Sequence, residues 1–426
     1  MNTTFESLGL SEPLLRALSA ENYTQPTPIQ LRAIPALLAG RDLLGIAQTG
    51  TGKTAAFGLP LLQHLSQSQS RAQHKATRAL ILAPTRELAV QIEQSLKTYG
   101  RHLNLRSTVI LGGVSQNTQI NAMKNGVDIL VATPGRLLDL VNQRQVRLDS
   151  VQYLIVDEAD RMLDMGFIKD VRRIVAMLPK ERQSMLFSAT MPDDVVKLVG
   201  DMLRTPERIE VSPPTRTADR IDQHVIHIEQ RNKRALLTHL LKDDAMKRVI
   251  VFTRTKHVAN RVSDHLEKSG FAADAIHGNK SQNARQRALD GFKSGSVRVL
   301  VATDIAARGV DVDNVTHVIN FELPNDAESY VHRIGRTARA GTEGIAISFC
   351  DPNEKTQLRD IERLVRKPLP VMTHDVPPEA FVQAAANENR GEHRRPNPAR
   401  PPQAPGERNY RRPKRRWHPR GNSRAA

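Results

Sequence analysis

The chain has 426 residues, with 62 Lys and Arg against 45 Asp and Glu and a formal net charge of +17. That length suggests two or three domains, each able to bury a core, and the basic balance favours an anionic partner, most often nucleic acid. A single cysteine, Cys350, excludes an intrachain disulfide and a thiolate metal cluster. It stands in the apolar stretch Ile345–Cys350 and reads as a buried thiol. No apolar run approaches the ~18 residues of a membrane span. Met1–Leu10 lacks a basic flank followed by an apolar run, so a cytoplasmic protein is expected.

Taken in chain order, the first punctuated segment is Tyr23–Gln30, rich in Pro and Thr, followed by the small-residue loop Ala47–Thr54 and a helical pattern over Ala55–Leu65. Apolar runs then recur at Ala79–Ala83, Ser107–Leu111, Asp128–Ala132 and Tyr153–Val156, with a helical pattern over Glu87–Tyr99. Val211–Asp219, with two prolines, reads as a hinge. Beyond it the same alternation returns. Apolar runs lie at Val249–Phe252, Arg298–Ala302, His317–Asn320 and Ile345–Phe349, with a helix over Ala284–Phe292. Continuous apolar runs suit parallel strands covered on both faces. Strands alternating with helices predict doubly wound α/β units, two of them in tandem. The expected divisions are 1–210, a linker at 211–219, 220–370, and a tail over 371–426. Arg390–Ala426 holds twelve Lys or Arg against two Glu and almost no aliphatic residues, a composition that predicts disorder.

Two segments carry phosphate chemistry. In Ala47–Thr54, small residues let successive backbone N–H groups face an anion, so Thr49, Gly50, Thr51 and Gly52 would cradle phosphates. Lys53 would reach the β- and γ-phosphates, the Thr54 hydroxyl would ligate Mg²⁺, and the helix that follows adds its dipole. Ala47 stands where the strict pattern has Gly. The second segment, Asp157-Glu158-Ala159-Asp160, follows an apolar strand directly. Asp157 would hold Mg²⁺ through water, and Glu158 would orient and deprotonate an attacking water. Each segment ends an inferred strand, where α/β ligands bind. Together they predict ATP hydrolysis.

Asp157–Asp160 spells the signature of the DEAD-box RNA helicases, and residues 5 to about 365 resemble that family, motif by motif and in order. The resemblance implies two RecA-like domains. Tyr23–Gln30 is similar to the Q motif. Gln30 would read the adenine edge, with an aromatic at Tyr23 stacking on the base and Phe5 matching the isolated upstream aromatic; core packing also suits Tyr23 and Phe5. Pro84-Thr85-Arg86-Glu87-Leu88, Gly112-Gly113 and Thr133–Arg136 resemble RNA-contacting loops, whose N–H groups, hydroxyls and guanidinium groups track phosphates without reading sequence. Ser188-Ala189-Thr190 resembles the motif that couples hydrolysis to RNA, together with Asp160. In the second half, Arg254, His277-Gly278, Gln282-x-x-Arg285 and Thr303 resemble RNA-side motifs, and Asp311 would approach the ribose. His332–Arg339 resembles the last motif, with Arg336 and Arg339 as arginine fingers and His332 bridging to Asp160. Ala338 departs from the glycine usual there.

The resemblance therefore implies an RNA-stimulated ATPase that uses ATP and Mg²⁺ and locally opens RNA duplexes. His277–Asp311 and the basic tail are most like the bacterial RhlE-type subgroup, which suggests partners in ribosome assembly or RNA decay. A DNA-directed motor and an ATP-gated RNA clamp are the alternatives. The tail, with Tyr410 and Trp417 among its arginines, is expected to tether RNA.

Overall fold

The structure is a computed structural model that describes residues 4–48, 50–68, 70–211, 221–304, 312, 314–338 and 343–376. Seven strands form the first sheet: β1 (Leu43–Ala47), β2 (Thr77–Leu82), β3 (Ser107–Ile110), β4 (Val127–Ala132), β5 (Tyr153–Val156), β6 (Gln183–Ser188) and β7 (Glu207–Val211). They lie in the order β3-β4-β2-β5-β6-β1-β7, and every neighbouring pair is parallel. Six strands form the second: β8 (Ile221–His227), β9 (Val249–Thr253), β10 (Ala273–Ile276), β11 (Val299–Thr303), β12 (His317–Asn320) and β13 (Gly344–Cys350). Their order is β10-β11-β9-β12-β13-β8, again all parallel.

The apolar runs are continuous because helices cover both faces of each sheet. Within β2, Ala79 and Ile81 pack into one cluster with Ala89, Ile92 and Leu96 of the helix Arg86–Tyr99. Leu80 and Leu82 point the other way, against Leu137 and Leu138 of the helix Pro134–Asn142. The second sheet repeats this. Val249 and Val251 face Val262 and Leu266, whereas Ile250 and Phe252 face Leu289 and Phe292. A side-chain period of two, buried on both sides, leaves no polar alternation to read.

Cys350 ends β13 with 1% of its surface exposed, and burial pushes its thiol up to about 11. Past Pro370 the chain runs beside β8. Val371 pairs in parallel with Val225, Met372 N donates to the Val225 carbonyl at 2.9 Å, and Val376 joins the core. Of the expected hinge, Val211 ends β7 and 212–219 lie outside the described residues; of the expected tail, 371–376 run along β8 and 377–426 lie outside the described residues.

Candidate nucleotide and RNA site

Parallel α/β sheets place ligands beyond the carboxyl ends of their strands, and the loops of interest cluster there. After β1, Gly50 and Gly52 take φ of +86° and +91°, open to glycine at little cost. Gly52 is also sterically required, since a Cβ there would stand 2.5 Å from Gln30 Nε2. Lys53, the first residue of the helix Lys53–Gln67, is buried; its Nζ donates to the Ala47 carbonyl at 3.1 Å and lies 3.8 Å from Asp157 Oδ1. Thr51 Oγ1 donates to the Gln48 carbonyl at 2.8 Å. Thr54 follows Lys53, half-buried. Thr49 lies outside the described residues.

Gln30 is 1% exposed. Its Oε1 accepts from Thr27 N at 2.9 Å and its Nε2 donates to the Gly52 carbonyl at 3.1 Å. It thus caps the helix Pro28–Leu38 and ties that helix to the phosphate loop. An amide has two N–H groups and two acceptor lone pairs, so one donor and one acceptor remain. Tyr23 is 38% exposed and Phe5 4%. Phe5 packs on Tyr23 with ring centroids 6.3 Å apart, and the Tyr23 and Tyr99 hydroxyls pair at 3.1 Å. Of the two aromatics, Tyr23 is the one that presents a ring to solvent.

β5 ends at Val156, and Asp157 and Glu158 follow, each 2% exposed. Burial pushes the Asp157 carboxyl up to about 6, with Lys53 opposing and Glu158 adding to the rise. Glu158 has φ +54° and ψ +54°, a left-handed conformation rare for a non-glycine residue and frequent at functional sites. Its Oε2 lies 3.2 Å from Arg161 Nη1. Asp160 turns elsewhere. Its Oδ2 accepts from Ala189 N at 3.1 Å, Thr190 N at 2.9 Å and Thr190 Oγ1 at 3.1 Å. Asp160 N donates to Ser188 Oγ at 3.1 Å. Residues 157–160 and 188–190 are one hydrogen-bonded unit.

After β2, β3 and β4, three neighbouring loops interlock. Arg86 covers the Gly112-Gly113 turn; a Cβ at Gly113 would sit 2.1 Å from Arg86 Nη1, and Gly113 has φ +77°. Arg136 Nη1 donates to the Val114 carbonyl at 3.2 Å, beside the same turn. Thr85 is buried after Pro84 and caps the helix Arg86–Tyr99 by accepting from Leu88 N at 3.2 Å. Thr133, 9% exposed, precedes the helix Pro134–Asn142.

In the second domain Arg254 is drawn inward. Its guanidinium lies 3.1 Å from Glu354 and 3.8 Å from Glu322. Glu354, 1% exposed, also pairs with fully buried Lys233. Gly278 is exposed, with no atom within 4 Å of a Cβ built there. Thr303 ends β11 and is 9% exposed. Asp304 grips Arg333 at 2.6 and 2.8 Å, and Arg333 also donates to the Glu322 carbonyl at 2.7 Å. Half-buried His332 accepts through its carbonyl from Arg336 Nε at 3.2 Å. Ala338 has φ +54°. Asp311 and Arg339 lie outside the described residues.

The family model described as "DEAD/DEAH box helicase" matches residues 27–199, and "Helicase conserved C-terminal domain" matches 232–341. A DEAD-box ATP-dependent RNA helicase, CshA, of Bacillus cereus is 45% identical over 365 residues, covering 86% of this chain and 69% of that protein. The chain belongs to the DEAD-box RNA helicase family. CshA of Bacillus subtilis is 43% identical over 381 residues, 89% of this chain and 76% of its own length. These relatives carry the CshA name, a different subgroup from the RhlE type that the sequence suggested.

Among solved DEAD-box structures, S. cerevisiae Dbp5 bound to RNA and ADP BeF3 has 32% identity and a TM-score of 0.76, covering 90% of this chain and 99% of that one. Mss116 bound to ssRNA and UDP-BeF has 29% identity and a TM-score of 0.80, covering 90% and 83%. This DEAD-box chain accordingly has two tandem RecA-like domains.

Sequence reasoning placed Glu87 in an RNA-contacting loop and missed three charged residues of this helicase, Lys233, Glu354 and Arg161. Glu87, 2% exposed, accepts from Gln282 Nε2 at 3.0 Å and pairs with Arg285 at 2.7 Å. The Gln282-x-x-Arg285 pair, expected on the RNA side, holds the first domain in this structure. Lys233 and Glu354 gave no local signal. Arg161 did: three residues after Glu158 and at the start of a helix, it had to lie near that carboxylate.

Proposed function

We propose that this helicase binds ATP and Mg²⁺ between the phosphate loop and Asp157–Glu158 and couples hydrolysis to local opening of RNA duplexes. The approach of Lys53 to Asp157 carries the reading, because it brings the two strand-end segments into one buried site beside Glu158. Lys53 serves the β- and γ-phosphates and Glu158 takes the proton of the attacking water. Arg336 and Arg339 stabilise charge at the γ-phosphate. Gln30 offers its remaining donor and acceptor to adenine, Tyr23 and Phe5 border the base, and Asp311 serves the ribose.

Thr54 and Asp157 would hold the magnesium ion. One buried carboxylate with one hydroxyl fits a cation that fills its other positions with phosphate oxygens and water. When bound, the ion would neutralise charge on the phosphates.

Pro84, Thr85, Arg86, Gly113, Thr133, Arg136, Arg254, Gly278 and Thr303 form the RNA track in this proposal. Asp160, Ser188, Thr190 and His332 transmit its occupancy. The interlocked loops at Arg86 and Arg136 support it, because turns tied together present their N–H groups as one surface. Division into 1–210, 211–219, 220–370 and 371–426, a cytoplasmic location, and a role in ribosome assembly or RNA decay belong to the same proposal. The RhlE-type reading rests on His277–Asp311 and the tail. No described helix is long and apolar enough to cross a membrane.

The test is ATP turnover with matched RNA and DNA oligomers, using wild type and Glu158→Gln. RNA should stimulate and DNA should not, since 2′-hydroxyl contacts separate the two. Glu158→Gln should bind ATP and RNA while turnover falls by orders of magnitude. Equal stimulation by DNA would favour the DNA-directed motor. Wild-type RNA binding without turnover would favour the clamp.

A further inference from the structure

We infer that Arg161 is a positioning residue for ATP hydrolysis that acts by holding the Glu158 carboxylate; this rests on the reading of Glu158 as the group that receives the water proton. Five charged side chains are buried together where β5 ends: Lys53 at 6% exposure, Asp157 and Glu158 at 2%, Asp160 at 7% and Arg161 at 4%. Three are carboxylates and two are cations. Asp160 is served by the N–H groups of Arg161, Ala189 and Thr190 and by the Thr190 hydroxyl. Asp157 faces Lys53 at 3.8 Å. Glu158 faces Arg161 at 3.2 Å, with side-chain exposures of 3% and 5%.

The two cations differ in what nucleotide does to them. A phosphate-loop lysine turns to the phosphates when they arrive. Arg161 belongs to the helix Ala159–Asp164 and lies beside Glu158, outside the phosphate loop. The backbone prepares the pairing. Glu158 sits at φ +54°, as the residue that caps this helix, and Arg161 follows one helical turn later, on the same side. A carboxylate without a counter-charge in so dry a place would seek water or another rotamer. A guanidinium at 3.2 Å places the opposite charge beside it and favours the ionised carboxylate there. A misplacement of about 1 Å in such a site can cost ~100-fold in rate, so control of this rotamer is control of turnover.

The experiment compares wild type, Arg161→Gln, Arg161→Lys, Glu158→Gln and the double variant Glu158→Gln/Arg161→Gln. The readouts are kcat, the KM for ATP, the RNA concentration at half stimulation, thermal midpoints, and the lifetime of the RNA complex formed with ATP. Arg161→Gln should lower kcat by about 10- to 100-fold, leave both half-saturation values within about twofold, and lengthen the RNA complex lifetime as Glu158→Gln does. Arg161→Lys keeps the charge and should recover part of kcat. The double variant should be no slower than Glu158→Gln, since a residue acting through Glu158 has nothing left to hold. If Arg161→Gln does not fold, Arg161→Lys placed in the Glu158→Gln background decides, and it should add no loss.

Unchanged kcat in Arg161→Gln overturns the inference. So does a loss that multiplies with that of Glu158→Gln, or one that tracks a lowered thermal midpoint and raised half-saturation values. Wild-type turnover in Glu158→Gln instead overturns the reading of Glu158, and the inference with it.

Discussion

Glu87 and Arg285 are 198 residues apart in sequence and 2.7 Å apart in space. Each is buried, and Gln282 donates to the same carboxylate at 3.0 Å. This contact joins the start of a helix after β2 to a helix after β10, so it couples the two sheets directly. Removing one member of a buried ion pair leaves the other charge stranded, at a cost of about 3–5 kcal/mol. Glu87→Ala should therefore lower the equilibrium constant between joined and separated domains by about 100-fold or more. Dyes placed on the two domains would report it as a lower fraction of short distances in ATP and RNA. Glu87→Ala/Arg285→Ala should recover part of the loss, because neither charge remains alone. An unchanged distance distribution in Glu87→Ala would show that the pair does not hold the domains.

Gln30 should govern both nucleotide choice and the phosphate loop. Gln30→Ala removes the bonds to Thr27 N and the Gly52 carbonyl as well as the proposed adenine contacts. Each hydrogen bond contributes on the order of 0.5–1.5 kcal/mol net. The KM for ATP should rise about tenfold or more, with GTP less affected, and the thermal midpoint should fall slightly. An unchanged preference for ATP over GTP with a lowered midpoint would confine Gln30 to capping.

Ala338 should be a strained position. Its φ of +54° is where a Cβ crowds the following carbonyl, at about 1–2 kcal/mol. Ala338→Gly should relieve this and raise stability by about 1 kcal/mol, seen as a higher urea midpoint at constant slope. A lower midpoint would mean that packing of the methyl group, 9% exposed, outweighs the backbone cost.

The basic tail should tether RNA and leave the motor alone. Each phosphate neutralised on single-stranded RNA adds about −0.7 to the log–log salt slope. If about four cations engage, truncation after Asn389 should flatten the slope by roughly three units, with ATPase at saturating RNA little changed. RNA affinity across a salt series measures this. Parallel slopes would exclude tail contact, and a collapse of ATPase would place the tail within the motor.

Burial on both faces made some strands visible in the sequence and not others: β1 and β6, buried inside the sheet, are not among the runs read as strands, whereas the half-buried edge strand β3 is. β2 and β4 carry the apolar runs 79–82 and 129–132 because helices lie above and below them. β7, at a sheet edge, alternates between exposed and buried, and β10 carries an aspartate. Neither gave a run to find. The phosphate loop and Asp157–Asp160 were equally legible, because contiguous residues supply their chemistry.

The sequence by itself determined the local chemistry: two parallel α/β units, a phosphate loop, an acidic strand end, and motifs in one family's order. Tertiary structure decided what depends on distant neighbours. It buried Phe5 while leaving Tyr23 exposed, turned Arg254 onto Glu354, and placed Arg285 on Glu87. It also set the left-handed backbone at Glu158 and Ala338. Nearest-neighbour residues specify loops and strand interiors. The orientation of a charged side chain is specified by whichever opposite charge the folded chain brings within a few ångströms, and no short window of sequence contains that partner.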